Sequence, residues 1–185
     1  MNENTINIKS VAEILNLIKK KDFYHAEKEL LKVIKIKKDN WYAHFLLGNV
    51  FALIKKIENA IEQYEVSNRI QPNNKDIIYN LGVMYSEKGE LDKSKNYFKK
   101  AINLDTNYLN ANLALAKTYE KQNNYEQAKI FYKKTLSIKK DFVLANQIYG
   151  KFLIKIGEIN KGQYYNYKYS GVIRFNEKGV NIINE

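Results

Sequence analysis

The sequence predicts an all-α fold, a solenoid of about five helix-turn-helix units followed by a short non-helical tail. Three observations carry this. Small residues recur every 34 positions: Ala26, Ala60, Ser94, Ala128 and Gly162 share one phase, and Gly48, Gly82 and Gly150 share another. Proline occurs once in 185 residues, at Pro72, which suits long helices because proline lacks a backbone donor and clashes with the preceding turn. Each 34-residue unit also holds two apolar runs with the i, i+3, i+4 spacing of half-buried helices. A unit this small cannot bury its own apolar face, so units must stack.

Taken in order, the units are 7–40, 41–74, 75–108, 109–142 and 143–170, forming one array over residues 1–170. In each, helix A fills roughly the first 14 positions and helix B roughly positions 17 to 30. In the first unit Val11, Ile14, Leu15 and Ile18 are expected on one buried stripe, and Phe23, Ala26, Leu30, Val33 and Ile34 on the next. Ile14 stands where later units have glycine. In the second unit Gly48 is expected at the closest approach of the two helices, with Phe51 beside it. Ala60 is the reciprocal small contact, Tyr64 packs between the helices, and Pro72 ends helix B because a proline cannot continue it.

The third unit repeats this with Leu81, Gly82, Tyr85, Leu91, Ser94, Phe98 and Ala101, and Gly89 supplies the turn between its helices. Ala116 replaces the glycine in the fourth, followed by Tyr119, Tyr125, Ala128 and Tyr132. The fifth has Tyr149, Gly150, Leu153, Gly157, Ile159 and Gly162. On the last helix Gly162, Tyr165 and Tyr169 share an inward face, which turns Tyr164 and Tyr167 outward. The tail, 171–185, breaks the period. Its two glycines and its β-branched residues suggest an extended segment, a possible cap over the end of the array or the contact of a homodimer.

Composition limits the functions. The chain has no cysteine and two histidines, His25 and His44, on different units and without metal-ligand spacing. No metal or cofactor site and no catalytic motif is expected, so the protein reads as a non-enzyme. The longest apolar window, 41–54, is short for a membrane span of about 20 residues, and the N-terminus lacks the order of a secretory signal. A cytoplasmic protein without membrane insertion is expected. The net charge is +11 with only two arginines, Arg69 and Arg174. Dispersed lysine suits solvated helix faces better than bidentate phosphate contacts, so nucleic acid is disfavoured as a partner. Glu58, Glu62 and Glu65 follow helical surface spacing and read as solvated.

The series Leu47, Gly48, Phe51, Ala60, Tyr64 and Pro72, with its echo Leu81, Gly82, Tyr85, Ser94, Phe98 and Ala101, resembles the tetratricopeptide repeat family over about residues 7–170. It departs at the family's helix-ending proline, where Thr106 and Lys140 stand, so the second helices of the third and fourth units are expected to run longer. It also departs at position 4, often Trp in the family and here Ser10, His44, Ile78, Asn112 and Asn146. The resemblance implies a right-handed solenoid whose A helices line a concave groove. In that groove Tyr42, Phe45, Asn49, Tyr79, Asn80, Val83, Leu113, Lys117, Gln147 and Lys151 are the candidate partner-binding residues.

The groove points to a protein-protein interaction scaffold that holds a peptide or partner protein by shape and amide hydrogen bonds. Asn49 and Asn80 match the asparagines of the carboxylate clamp found in tetratricopeptide co-chaperones. Phe45, Asn110 and Ala114 stand where its cations would be, so terminal carboxylates would lack charge-assisted partners. Two alternatives remain open from the sequence: the leading portion or split partner of a larger enzyme, such as a transferase or oxygenase, and lysine-mediated nucleic-acid binding.

Overall fold

A computed structural model of the chain describes residues 9–168, 173–176 and 179–182. These residues hold ten helices: α1 (Val11–Lys19), α2 (Phe23–Ile36), α3 (Trp41–Leu53), α4 (Ile57–Ile70), α5 (Lys75–Glu87), α6 (Leu91–Leu104), α7 (Leu109–Lys121), α8 (Tyr125–Ile138), α9 (Val143–Lys155) and α10 (Ile159–Tyr167). They alternate as A and B helices in five pairs. The 34-residue phase holds at every start after the first: α3, α5, α7 and α9 begin at 41, 75, 109 and 143. The chain forms two compact units, Met1–Leu104 with α1 to α6 and Asp105–Glu185 with the remainder.

The period is written into the backbone. Lys21, Lys55, Gly89, Asn123 and Gly157, each 34 positions after the last, all have positive φ, between 58° and 87°. Each sits at the turn from helix A to helix B. One residue later the N–H reaches back to the carbonyl five residues earlier, as Lys56 to Phe51 and Glu90 to Tyr85, both at 2.9 Å. That is the Schellman ending of an α-helix, in which a left-handed residue lets the next amide satisfy an orphan carbonyl. Glycine fills the strained position twice, and lysine or asparagine fills it three times.

Within a pair, the small-residue phases set the approach. A Cβ added to Gly48 would fall 2.6 Å from the Tyr64 ring, and one added to Gly82 would fall 2.6 Å from the Phe98 ring. Gly150 and Gly162 bring backbone to backbone, since a Cβ on either would meet the other's carbonyl oxygen at 2.6 Å. Tyr64, Phe98 and Tyr132 are buried at the matching phase of α4, α6 and α8, and Ala60 and Ala128 are wholly buried beside them. The first unit's core joins Ile14, Leu30, Leu47, Val50, Ile77 and Leu81.

Three expectations are corrected. The B helices do not lengthen where proline is missing: α4, which ends ahead of Pro72, and α6 and α8, which lack it, are 14 residues each. The Asn112 side chain closes the turn after α6 and that of Asn146 the turn after α8. On α1, Ile14 is buried, but Val11 and Leu15 are 51% and 41% exposed. They occupy the phases of Phe45 and Asn49, which face outward, so the stripe is split between core and surface. Glu65 is engaged, accepting a hydrogen bond from the Tyr85 hydroxyl at 2.9 Å.

At the C-terminal end Tyr165 packs edge-on to Tyr149, ring centroids 4.8 Å apart, and Tyr164 and Tyr167 are exposed. Tyr169 lies outside the described residues. The tail contains an antiparallel hairpin of β1 (Ile173–Asn176) and β2 (Gly179–Ile182), with Ile173 opposite Ile182 and Phe175 opposite Val180.

Candidate functional site

Helix α3 carries no charged residue: its sequence is WYAHFLLGNVFAL. Apolar residues run nearly all the way round it, more than one neighbour pair can bury. Ala43, Leu46, Leu47, Val50 and Phe51 go into the core, and Tyr42, Phe45 and Asn49 are left half-buried on the outer side. Tyr42 stacks on Phe45, and Phe45 tilts onto Tyr64 at 5.9 Å between centroids. The Tyr64 hydroxyl, pushed to higher pKa by burial, stays protonated and donates to Asn49 Oδ1 at 2.7 Å.

The same oxygen takes a second, longer hydrogen bond from Asn80 Nδ2 at 3.4 Å. Asn49 Oδ1 is thereby saturated. An amide offers two donors and a carbonyl with two lone pairs, so Asn49 Nδ2 and Asn80 Oδ1 remain for a ligand. On α5, Tyr79 and Val83 are half-buried beside Asn80. Tyr79 leans on Phe98 at 5.7 Å, and burial raises its hydroxyl pKa as well. Val11 and Leu15 add two exposed aliphatic side chains at the same phases on α1. The first unit thus brings six of the candidate residues onto one face, aromatic and uncharged around an amide pair.

The other four lie in the second unit. Lys117 on α7 and Gln147 and Lys151 on α9 are exposed. Leu113 is 8% exposed and offers a ligand little surface. Sequence reasoning missed Val11 and Leu15, although their phase matched that of Phe45 and Asn49. It also missed Tyr64 as the group that orients Asn49, a role that only the folded contact shows.

His44 is tied down, one ring nitrogen 2.8 Å from Gln63 Oε1 and the other 3.1 Å from the Lys38 carbonyl. Among the described residues no group of three or more His, Cys, Asp or Glu is placed to hold a metal ion. No described helix is long and apolar enough to cross a membrane.

Comparison with known proteins follows the same lines. Residues 76–141 match the family model of the tetratricopeptide repeat. No curated protein sequence matches the chain. Among solved structures, a crystal structure of MamA is similar with a TM-score of 0.76 at 24% identity, covering 89% of this chain and 95% of that one. PilF of Pseudomonas aeruginosa is similar with a TM-score of 0.79 at 19% identity, covering 90% and 76%. YrrB, described as a TPR protein with an unusual peptide-binding site, is similar with a TM-score of 0.69 at 15% identity, covering 85% and 83%. At these identities the likeness speaks to the fold.

Proposed function

We propose, from the premise that this chain is a tetratricopeptide-repeat protein, that it is a non-catalytic interaction module whose first unit holds a peptide of a partner protein. The observation that carries this is the apolar and aromatic surface of Val11, Leu15, Tyr42, Phe45, Tyr79 and Val83 with its pre-oriented amide pair. An apolar or aromatic side chain of the ligand would lie on Tyr42 and Phe45, where an exposed apolar patch rimmed by polar groups favours association. The ligand backbone would bond to Asn49 Nδ2 and Asn80 Oδ1. Tyr64 holds Asn49 in place before binding, which lowers the ordering cost. YrrB, with the same fold, supports a peptide-binding role.

The test is capture of partners from a lysate, then affinity for the identified peptide. Asn49→Ala with Asn80→Ala should weaken binding by about 1 kcal/mol for each hydrogen bond lost, with the melting temperature little changed. Unchanged affinity in that variant and in Tyr42→Ala would move the site elsewhere.

The reading includes a cytoplasmic location, which cell fractionation tests. It also treats the tail as cover for the end of α10, where Tyr164 and Tyr167 are exposed. A two-stranded hairpin is not stable alone in water, and terminal repeats require a shielded outer face. A chain ended at Ser170 should melt earlier or aggregate. Loss of a dimer on truncation would instead make the tail a subunit contact, and a monomer of unchanged stability would remove both roles.

A further inference from the structure

The second unit carries a different surface. On α7 and α9 the same phases are exposed or half-buried: Asn110, Ala114, Lys117 and Lys121 on one helix, and Leu144, Ile148, Lys151 and Lys155 on the other. Lysine therefore occupies two successive rows in both helices. Glu120, which precedes Lys121 on α7, is already committed. It accepts from the Tyr132 hydroxyl at 2.7 Å and pairs with Lys155 at 3.1 Å.

Several lysines elsewhere are paired with acids. On the B helices Lys32, Lys93, Lys95 and Lys161 each pair with an acid three residues earlier in sequence. Lys129 reaches Glu158. Lys117 and Lys151, one repeat apart at one phase, have no ion pair or hydrogen bond within the described residues. Stacking like charges on successive repeats gains the fold nothing, since like charges on neighbouring positions repel.

We infer that this face of α7 and α9 docks an acidic, amphipathic segment of a partner protein, separately from the peptide site of the first unit. Charge complementarity selects an acidic ligand. Leu144 and Ile154 beside the lysines, 52% and 39% exposed, select one with apolar side chains between its carboxylates. The stripe has no arginine for bidentate phosphate contacts and no exposed ring for stacking bases, the groups that single-stranded nucleic acid uses. Gln147, exposed among these residues, offers donors and acceptors to the ligand backbone.

The experiment uses the full chain and two labelled probes of equal charge, a peptide alternating glutamate and leucine and a single-stranded oligonucleotide. The peptide should bind, more weakly as salt rises. Lys117→Glu with Lys151→Glu should weaken it about tenfold or more, as attraction is replaced by repulsion at two sites. Lys133→Glu with Lys139→Glu, which changes net charge equally on other exposed positions, should leave it nearly unchanged. Circular dichroism of both double variants should match the parent. The Asn49→Ala, Asn80→Ala variant should bind this probe normally, so failure of the first-unit site and of this one are told apart. Equal weakening in the two charge-reversed variants, tighter binding of the oligonucleotide, or no peptide binding would each overturn the inference.

Discussion

Asn146 closes the turn that precedes its own helix: its Nδ2 donates to the carbonyl oxygens of Lys140 at 2.8 Å and Phe142 at 3.0 Å. Asn112 does the same for Thr106 and Tyr108, and the His44 ring lies 3.1 Å from the Lys38 carbonyl. These residues share repeat position 4. Ile78, at the same position of its repeat, has no polar group in its side chain, and six residues before it stands Pro72. Proline and a buried donor are thus alternative ways of ending helix B at the same place.

Asn146→Leu should therefore destabilise the second unit by about 1–2 kcal/mol, since it strips the Lys140 carbonyl of its donor and leaves the Phe142 carbonyl only the backbone N–H of residue 146. Adding Lys140→Pro should restore part of that loss. The residue before it, Lys139, already has the extended backbone (φ −144°, ψ 96°) that precedes proline. Thermal melts of the single and double variants decide it. A double variant less stable than the single would show that the two devices are not equivalent.

Gly82→Leu should unfold at least the first unit. Its Cβ would enter the Phe98 ring at 2.6 Å, and forced overpacking costs roughly 1–3 kcal/mol or more. Gly89→Ala is the informative comparison, because its Cβ meets nothing within 4 Å and its cost is backbone strain alone, about 1 kcal/mol. The two melting temperatures should fall in that order.

Lys55→Gly should raise stability. Lys55 holds φ 62°, a conformation that costs a non-glycine residue about 1 kcal/mol, although glycine returns part of this through the greater freedom of the unfolded chain. A net gain of a few tenths of a kcal/mol is expected, read from denaturant midpoints. A loss would mean that the lysine side chain contributes to the turn.

Alkali should loosen the helix pairs before it unfolds simpler helical proteins. Burial pushes the Tyr149 hydroxyl up to about 12 and shifts those of Tyr64, Tyr85 and Tyr132 upward as well. An unfolded tyrosine ionises near 10. The protonated, folded form is therefore fully favoured below that pH, and its advantage is lost as pH rises from about 10 through 12. Phenolate absorbance and helical circular dichroism should change together in that window. Ionisation of all fifteen tyrosines near pH 10 with helicity intact would contradict it.

Much of this was legible in the sequence, because the repeat multiplies every signal. Gly48, Gly82, Ala60 and Tyr64 fall where phase placed them, and each is supported by its counterparts one period away. What was not legible depends on single contacts. Val11 and Leu15 read as core because aliphatic residues at helical spacing cannot by themselves say which flank of the stripe is buried. The lengths of α6 and α8 were misjudged because a hydrogen bond from position 4 to the preceding loop has no signature in composition. Among the candidate site residues, the amide pair was visible as two asparagines, but its orientation by Tyr64 was not.

The reach of the contacts has a consequence for how the chain is made. The side-chain hydrogen bond from Lys155 on α9 to Glu120 on α7 spans 35 positions, about one repeat. At about 5–20 residues per second, a ribosome releases one such interval in roughly 2–7 s. Helix pairs with contacts this local fold in microseconds to milliseconds. Each pair can therefore assemble as it emerges, and the uncharged α3, which emerges after α2, need wait only for α4 and α5 before its core residues are hidden from the crowded interior of the cell.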